Sequence, residues 1–347
     1  MVQNLRKLFI GKREIGVEKE PFVIPEIGIN HDGNIKKAKK MILDASNSGA
    51  ECVKFQCHVI EDEMIYNQVI PGNSDETIWE IMKRCALSEK EELELKDYTE
   101  ELDLIYISTP FSREAADRLN RIGVDCFKIG SGECNNYPLI RHIAEFGKPI
   151  ILSTGMNDIP SISKSVNILN NKKIPFALLH VTSIYPTPYE KVRLEAINEL
   201  KKEFPEIPIG LSDHSLGNYT CFAAVAMGAT ILEKHFTSDN NWEGPDISLS
   251  ISPNELKDLI DGSNAIHKSL GGTKDILDEE KPTINFAYSS VVTIKDIEIG
   301  EKFSLENIWV KRPGTGKIRA NEFEKIINKK AKNKIAKNEQ LTWDMIE

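Results

Sequence analysis

Short apolar runs recur through the first 235 residues of the chain, and segments with helical spacing separate them. Strand-like runs that alternate with helix-like segments predict parallel strands joined by crossover helices. Each run ends on polar side chains capable of chemistry, as in a (β/α)8 TIM barrel, where active sites lie at the C-terminal ends of the strands. The pattern therefore predicts an α/β fold and the place of its site. The eight runs are FVIPEIG, CVKFQC, LIYISTPF, CFKIGSGE, IILSTGM, ALLHVTSIY, IGLSDH and ILEKHF.

Beyond the eighth run the sequence predicts a second, smaller domain. The stretch 271–289 has the glycine, charge and proline content of a linker. We therefore expect a barrel domain over 1–270 and a small domain over 290–347. Residues 281–347 contain 13 Lys and Arg against 9 Asp and Glu, a net charge of +4, and the preceding residues have 31 against 44, or −13. Opposite charges favour docking of the small domain on a barrel, within one chain or between two.

A weak internal repeat lies in the small domain. IEIGEKFSLENI begins at Ile297 and IAKNEQLTWDMI begins at Ile335, with the turn formers Gly300 and Asn338 at equivalent positions. In each copy a Ser or Thr followed by an acidic residue is the start signal of a short helix. The repeat predicts a pseudo-symmetric domain that is marginally stable alone and gains stability by docking.

The net charge and the composition of the chain exclude some classes of binding partner. The net charge of −9 argues against nucleic acid, because binding to phosphodiester backbones depends on a basic surface. The N-terminal residues show no signal pattern, and no apolar stretch approaches the roughly 20 residues that span a bilayer. We therefore expect a cytoplasmic protein with no membrane partner. Six scattered cysteines without a CxxC pair are expected to be buried free thiols.

The polar stretch 61–83 separates the second and third runs. It is longer than an ordinary connecting loop, and long loops of compact domains often cover active sites. We therefore expect this stretch to lie over the mouth of the barrel.

Two histidines are candidate metal ligands. His214 and His235 end the seventh and eighth runs, which are neighbours in a barrel, and Asp213 and Asp246 lie near them in sequence. Two imidazoles are too few for a closed structural zinc site, so the pattern predicts an open site completed by water and substrate. The alternative is that both are ordinary polar residues at strand ends.

Two lysines are candidate anion ligands. Lys54 and Lys128 lie inside strand-like runs, where a charge is costly without a partner. Pointing into the top of a barrel, they would form with nearby serines a pocket for a phosphate and a carboxylate. Alternatively, either lysine forms a purely structural ion pair with Glu26 or Glu133. The serines are Ser131, Ser153, Ser183 and Ser212.

Glu26 and Glu133, on the first and fourth runs, are the candidate general acid and base. Two further residues give weaker signals. Tyr185 either stacks on a substrate or packs, and Arg312, in a glycine-rich loop, matters only if that loop reaches a barrel mouth. The assignment of acid and base between the two glutamates stays open.

The motifs together resemble the bacterial sialic acid synthases, in order from about residue 20 to the C-terminus. This resemblance implies a TIM barrel joined to a small antifreeze-like (SAF) domain. It also implies a homodimer in which each small domain caps the barrel of the other chain. The motifs are PEIGINHDG, VKFQCH, EDEMIYNQVIPGN, STPFSREAADRL, FKIGSGECNNYPLI, LSTGM, YPTPYE, GLSDHS, EKHF and WVKRPGTG.

The resemblance also implies an activity. Members of this family are transferases that condense phosphoenolpyruvate with an open-chain N-acetylmannosamine-type aldehyde and water, giving a nine-carbon ulosonic acid and phosphate through C–O cleavage. His214 and His235 would hold a divalent ion, with manganese favoured over magnesium or cobalt, as a Lewis acid on the aldehyde.

On the same basis Glu26, Glu133, Lys54 and Lys128 are expected to be catalytic. Phosphoenolpyruvate would be held by the two lysines and by hydroxyl groups, and the sugar would meet a second set of side chains. Arg312 of the second chain would reach the N-acetyl group. The hydroxyl groups belong to Thr109, Ser131, Ser153, Ser183 and Ser212, and the sugar-side residues are Gln56, Asn73, Phe111, Tyr185 and Asp246.

Two departures from the family pattern bear on the substrate. Ser183 replaces an asparagine of the closest bacterial synthases, and the stretch from Thr237 differs around Trp242. The alternative is therefore a legionaminic or pseudaminic acid synthase that uses a 2,4-diacetamido-2,4,6-trideoxy hexose. A more distant alternative, a metal-dependent barrel hydrolase, would not need a phosphoenolpyruvate pocket. A non-catalytic binding protein would not need two carboxylates, two lysines and two histidines at one mouth.

Overall fold

A computed structural model describes residues 6–71 and 75–347 of the chain. The described residues form two compact units, which divide between Leu270 and Gly271. Among the described helices none is both long enough and apolar enough to cross a membrane.

The first unit is a closed barrel of eight parallel strands. Each barrel strand pairs with the next along the chain, and the last pairs with the first, with His235 beside Glu26. The predicted (β/α)8 barrel is thereby confirmed. The strands of this unit are the hairpin β1 (Leu8–Ile10) and β2 (Arg13–Ile15), and the barrel strands β3 (Phe22–Gly28), β4 (Cys52–Cys57), β5 (Ile105–Pro110), β6 (Phe127–Ile129), β7 (Ile150–Ser153), β8 (Phe176–Val181), β9 (Ile209–Asp213) and β10 (Ile231–His235).

Helices surround the barrel and bury their apolar faces against its outer wall. Three of them begin at a capping box, in which Thr77, Ser88 or Ser252 accepts a hydrogen bond from a backbone N–H of the first turn. These caps end the preceding loops at defined residues. The helices are α1 (Ile35–Asn47), α2 (Ile60–Glu63), α3 (Ile78–Cys85), α4 (Glu89–Glu101), α5 (Arg113–Ile122), α6 (Tyr137–Ala144), α7 (Ile159–Asn171), α8 (Glu195–Glu203), α9 (Tyr219–Ala226) and α10 (Pro253–Ser269).

Alternation along the strands separates an inner from an outer core. Phe22 and Ile24 point into the barrel, and Val23 between them packs outward under the helices. The hairpin β1–β2 contributes Leu8 and Ile10 to the inner core, so it closes the N-terminal end of the barrel. The lower half of the barrel is therefore filled with apolar side chains, and only the upper half is left for polar groups.

The six cysteines are all free and buried, as expected. Cys52 and Cys126 belong to the inner core, and Cys57, Cys134 and Cys221 belong to the outer core. Burial raises the pKa of all six thiols, so they stay protonated at neutral pH.

The second unit contains helix α11 (Lys281–Ala287), within the stretch predicted as a linker, and an antiparallel pair of strands, β11 (Ser290–Thr293) and β12 (Ile308–Lys311). The two copies of the repeat meet in a backbone bridge between Ile297 and Ile335. Since both turn formers adopt positive φ angles and Phe303 and Leu341 are buried, the repeat positions are equivalent in the structure. The φ angles are 78° at Gly300 and 67° at Asn338.

The two predicted short helices of this unit are shorter than expected. The second copy has a single 3-10 turn, Trp343–Met345, and the first copy has only a turn after Ser304. Both Ile308 and Ile346 are buried, and the buried apolar positions hold the unit together. Capping signals of this kind stabilise a helix only if enough chain follows to form several turns.

Candidate active site

Strand alternation brings charged side chains together in the upper half of the barrel. Glu26 follows Phe22 and Ile24 at two-residue spacing, and Lys54, Lys128 and Glu233 also occupy inner-facing positions of their strands. The side chains are almost entirely buried, with exposed fractions between 1 and 6%. We call Glu26, Lys54, Lys128 and Glu233 the inner charge cluster.

The inner charge cluster is held together by short contacts. The Nζ of Lys54 lies 2.5 Å from Oε2 of Glu26 and 3.7 Å from Oε1 of Glu233. The Nζ of Lys128 lies 3.7 Å from Oε2 of Glu233 and donates a hydrogen bond to Oγ of Ser153 at 2.6 Å. Both lysines therefore lie beside carboxylates, as the alternative of an ion pair predicts. The carboxylates are those of Glu26 and Glu233, and not that of Glu133.

Burial and mutual repulsion shift the proton affinities within this cluster. Burial raises the pKa of Glu26 to about 7, because it outweighs the attraction of Lys54 and is reinforced by Glu233. Burial lowers the pKa of Lys128 to about 8. Although burial opposes both charges, the two lysines hold the pKa of Glu233 below its usual range, and the two glutamates raise the pKa of Lys54.

Hydroxyl groups lie around the lysines. Thr109 accepts a hydrogen bond from Lys54 at 3.2 Å, and Ser212 donates one to Glu233 at 3.1 Å. Ser153 accepts from Lys128, as described above. All three hydroxyl groups face the cluster, so the structure brings together the predicted lysine and hydroxyl residues of β4–β7 and β9.

Gly155 completes a concave surface beside these groups. Its backbone N–H donates to Oγ of Ser131 at 3.0 Å. A Cβ atom at this position would come within 2.7 Å of Ser131 Oγ and 2.6 Å of Ser183 Oγ. Among the described side chains, none forms a hydrogen bond with the buried Ser183 Oγ. We call Ser131, Gly155 and Ser183 the hydroxyl cradle; its two hydroxyl groups are potential hydrogen-bond donors to an oxyanion.

The two histidines lie side by side at the ends of β9 and β10, with ring centroids 5.5 Å apart. His214 directs Nδ1 to the carbonyl oxygen of Thr182 at 2.9 Å, which leaves Nε2 available as a lone-pair donor. Burial lowers the pKa of His214 to about 4 and that of His235 to about 3, so both imidazoles are neutral at pH 7.

These histidines fit a divalent metal ion. Nδ1 of His235 is buried and has no hydrogen-bond partner among the described residues, and Oδ2 of Asp246 lies 3.7 Å from it. Within residues 6–71 and 75–347 there is no group of three or more His, Cys, Asp and Glu side chains arranged to bind a metal. The donor set is therefore a neutral histidine pair with a carboxylate nearby, as an open site requires.

A cavity of about 1230 Å³ opens beside the histidines. Gln56, Tyr185, His235 and Asp246 line its inner end. Gln56 donates to Oε1 of Glu26 at 3.3 Å, and the ring of Tyr185 lies 4.1 Å from the ring of His214. The outer end is formed by residues of α3 and of the segment after β10, so part of the stretch 61–83 does line the mouth. The apolar residues of this cavity include Ile29, Ile78, Ile81, Met82 and Trp242.

Two predicted residues of the barrel unit, Phe111 and Glu133, make other contacts. Phe111 stacks on His58 at 4.7 Å, and Glu133, in the 3-10 turn after β6, accepts from the Asn136 side chain at 2.6 Å. Arg312 is exposed in the second unit, and Asn73 lies outside the described residues.

The sequence reasoning missed Glu233 and Gly155. Glu233 lies in ILEKHF two residues before His235 and so faces the same side of the strand. This period-two spacing was the available signal. Gly155 in LSTGM gave no signal of its own, because its importance depends on hydroxyl groups from two other loops.

Comparisons with known proteins agree with this architecture. Residues 41–275 match the NeuB family, and residues 288–347 match the SAF domain. The chain is 42% identical to an uncharacterised protein of Methanocaldococcus jannaschii over 98% of each chain. It is 39% identical to the N,N'-diacetyllegionaminic acid synthase of Campylobacter jejuni over 90% of this chain and 96% of that one.

A solved structure is similar as well. The N-acetylneuraminic acid synthetase of Leptospira borgpetersenii matches with a TM-score of 0.74 and 34% identity, over 81% of this chain and 95% of that one. The relatives with a stated activity are synthases of sugar acids, which confirms the predicted transferase-type enzyme and gives the hydrolase alternative no support. The chain belongs to the NeuB family of sugar-acid synthases and ends in an SAF domain.

Proposed function

We propose that this chain condenses phosphoenolpyruvate with the aldehyde of an acylamino hexose, giving a nine-carbon 2-ulosonic acid and phosphate. The observation that most supports this proposal is that three groups of side chains lie together at the C-terminal end of one barrel. The inner charge cluster lies beside the hydroxyl cradle, and the neutral histidine pair lies at the neighbouring strand ends. Such a site has places for a phosphorylated enol and for a carbonyl compound.

Phosphoenolpyruvate would lie over the inner charge cluster. Lys54 and Lys128 would pair with its carboxylate and phosphate, and Thr109, Ser153 and Ser212 would add hydrogen bonds. The hydroxyl cradle would hold phosphate oxygens, for which Ser183 offers a hydroxyl group without another partner among the described residues. With all four groups ionised the cluster has no net charge, so binding of an anion favours protonation of one glutamate.

Of those two carboxyl groups, Glu26 is the one that would take the proton. Its pKa of about 7 is already raised, and the pKa of Glu233 is lowered. A group poised near the working pH can both accept and return a proton. Glu26 is therefore proposed as the main proton carrier. Glu133 is given a secondary role, because its contact is with Asn136 and not with the inner charge cluster.

His214 and His235 would hold the divalent ion, with manganese as the first candidate. When bound there, such an ion supplies Lewis-acid polarisation of the sugar aldehyde. Tyr185 and Gln56 would orient the sugar between the ion and the enol, because both line the inner end of the cavity. Neutral imidazoles suit this role, since a protonated histidine cannot donate a lone pair.

The bond changes then balance without a redox partner. C3 of phosphoenolpyruvate forms a bond to the aldehyde carbon, whose oxygen takes up a proton and becomes a hydroxyl group. Water adds to C2, and the resulting tetrahedral carbon expels phosphate by breaking its C–O bond and becomes the ketone. One proton of the water ends on the new hydroxyl group and the other on phosphate, and Glu26 relays the first.

The sequence places N-acetylmannosamine first as the sugar, with product N-acetylneuraminate. Two observations favour the 2,4-diacetamido-2,4,6-trideoxy hexose as the second candidate. The outer end of the cavity includes the apolar side chains of Met82 and Trp242 beside charged residues such as Arg84 and Glu243, and the two apolar side chains offer contacts for a methyl group. One relative is named a diacetyllegionaminic acid synthase.

The second unit is proposed to act between two chains. Its positive charge opposes the negative charge of the barrel unit, which favours docking of 290–347 on the barrel of a partner chain, with 271–289 as the connection. In such a homodimer Arg312 would reach the N-acetyl group of a sugar in the other barrel. We place this assembly in the cytoplasm.

A sugar panel tests the proposal. Phosphate release from phosphoenolpyruvate is measured with Mn²⁺ and N-acetylmannosamine, with the diacetamido trideoxy hexoses, and without sugar. Sugar-dependent release supports a synthase, and the better substrate names the product. No release with any of the sugars would contradict the proposed reaction.

A further inference from the structure

The structure contains a second buried charge pair on the two histidine-bearing strands, facing away from the active site. Asp213 immediately precedes His214 on β9, and Lys234 immediately precedes His235 on β10. Lys234 and Asp213 follow the outward-facing Leu232 and Leu211 at two-residue spacing, so both point out of the barrel towards α9. We call Asp213 and Lys234 the outer ion pair.

The outer ion pair brackets one of the histidines. Lys234 donates from Nζ to Oδ2 of Asp213 at 2.6 Å and also to the backbone oxygen of Ser215. Asp213 is the residue before His214, and Ser215 is the residue after it. One ammonium group on the strand of His235 therefore bonds to the side chain of the residue before His214 and to the backbone of the residue after it.

The carboxylate end of the pair is held as firmly. Asp213 accepts hydrogen bonds from Thr220 Oγ1 at 2.7 Å, from Ser215 Oγ at 2.9 Å and from the Ser215 N–H at 3.1 Å. The side chains of Asp213 and Lys234 are 1% and 0% exposed. Every one of these bonds is short and shielded from water, so the segment around His214 has little freedom to move.

A buried ion pair contributes little net stability over apolar residues of the same volume, although it specifies geometry. Leu232 and Leu211, the preceding outward positions, show that apolar side chains fit on this face. We propose that the outer ion pair consists of positioning residues, which set His214 against His235 for metal binding. This inference rests on the proposed function, since it assumes that the histidines hold a metal ion.

The test measures Mn²⁺ affinity by isothermal titration on full-length protein, without substrates. The main variant replaces the pair with apolar residues of similar size, Asp213→Leu with Lys234→Met. Loss of partners around a metal ligand typically weakens metal binding about 10- to 100-fold. We expect a decrease in that range for the double variant, with circular dichroism unchanged.

A matched control uses another buried ion pair of the same unit. Arg118 NH1 lies 3.3 Å from Oε2 of Glu92, and neither residue is next to a histidine in the candidate metal site. The control variant is Glu92→Leu with Arg118→Met. It is expected to bind Mn²⁺ within about twofold of the wild type, even if its melting temperature changes.

A second variant covers the case in which the double variant does not fold. Thr220→Val keeps the shape of the side chain and removes one hydrogen bond from Asp213. We expect Mn²⁺ binding to be weakened about threefold to tenfold. This is less than the full effect of one hydrogen bond to a charged group, because the lost bond affects the position of His214 only in part.

The outcomes separate the inference from the proposed function. If the folded double variant binds Mn²⁺ as tightly as the wild type, the positioning role is overturned and the proposed function stays intact. The same conclusion follows from Thr220→Val if only that variant folds. An equal loss in the Glu92–Arg118 control overturns the positioning role too, because the effect would then be general destabilisation. A wild-type protein that binds no Mn²⁺ overturns both the proposed metal site and this inference.

Discussion

Strand β10 carries a buried charge on each face, Glu233 inward and Lys234 outward, and the groups around these two charges differ in how completely they are bonded. On the outer face Asp213 accepts bonds from Lys234, Ser215 and Thr220. On the inner face Oε2 of Glu233 has no hydrogen-bond partner among the described residues, and Lys128 lies 3.7 Å away from it. The outer ion pair and the inner charge cluster both combine lysine with carboxylate and share β10, yet only the outer ion pair has its hydrogen-bonding capacity largely filled.

The proton affinities show the same contrast. In the outer ion pair Lys234 holds the pKa of Asp213 below its usual range despite burial. In the inner charge cluster burial dominates at Glu26 and raises its pKa to about 7. A satisfied pair stabilises one geometry, and an unsatisfied cluster still has bonding capacity for a ligand. Buried charge alone therefore does not identify a site; the inner charge cluster combines incomplete bonding with a position at the C-terminal ends of the barrel strands.

The largest effect is expected for Glu26→Gln, which keeps the shape of the side chain and removes the proton carrier. Turnover should fall about 100- to 10,000-fold, the usual contribution of general acid–base groups. The free energy of unfolding at pH 8 should not decrease, because burial raises the pKa of Glu26 and the ionised carboxylate is the form that the folded protein disfavours. Steady-state kinetics and chemical denaturation measure the two quantities.

Glu92→Gln provides the control for that experiment, because Glu92 is a buried residue of α4 that pairs with Arg118 and lies outside the inner charge cluster. It should retain turnover within a few-fold of the wild type. If Glu26→Gln also retains turnover within a few-fold, the proton-carrier assignment is wrong.

The opposite result is expected on the outer face. Lys234→Met leaves the carboxylate of Asp213 buried without its ammonium partner, and breaking a buried pair in this way costs about 3–5 kcal/mol of unfolding free energy. Urea denaturation of the single variant measures this loss. A cost below about 1 kcal/mol would mean that the outer ion pair is no better bonded than the inner charge cluster.

A third prediction concerns the hydroxyl cradle. Gly155→Ala places a Cβ atom within 2.7 Å of Ser131 Oγ and of Ser183 Oγ, so at least one hydroxyl group must move. Loss of one hydrogen bond to a charged phosphate should raise the KM for phosphoenolpyruvate about tenfold or more. The KM for the sugar should change little, and an equal rise in both would contradict a phosphate site here.

A smaller effect is expected from pH. Burial lowers the pKa of Lys128 to about 8. Since the charged ammonium binds the anion and is lost as pH rises through this pKa, kcat/KM for phosphoenolpyruvate should fall about tenfold per pH unit above pH 8. Lys128→Arg keeps its charge throughout, so any activity it retains should be flat to pH 10. An unchanged alkaline decrease in this variant would assign the decrease to another group.

Much of this architecture follows from the local sequence pattern, because alternation at two-residue spacing predicts where each strand lies and which of its side chains point into the barrel. That pattern located Glu26, Lys54, Lys128 and the two histidines. Glu133, the second candidate acid or base, lies in a 3-10 turn and is hydrogen bonded to Asn136. A turn after a strand can redirect a side chain in ways that spacing does not reveal.

What the sequence could not predict depends on contacts between distant segments. The hydroxyl cradle joins residues from the loops after β6, β7 and β8, and the bonding of Asp213 depends on Lys234 lying beside it in the barrel register. Whether a buried charge is satisfied is a property of the assembled barrel. Asn73 and Arg312 stay predictions for the same reason, since their roles require contacts beyond those described.

The central claim is that the inner charge cluster and hydroxyl cradle support C–O cleavage of phosphoenolpyruvate. Phosphoenolpyruvate labelled with ¹⁸O at the bridging enol oxygen tests it most directly, with Mn²⁺ and whichever sugar supports turnover. The account predicts that the label appears in the released phosphate and that the ketone oxygen of the product comes from water. Retention of the label at C2 of the product, with unlabelled phosphate, would contradict it.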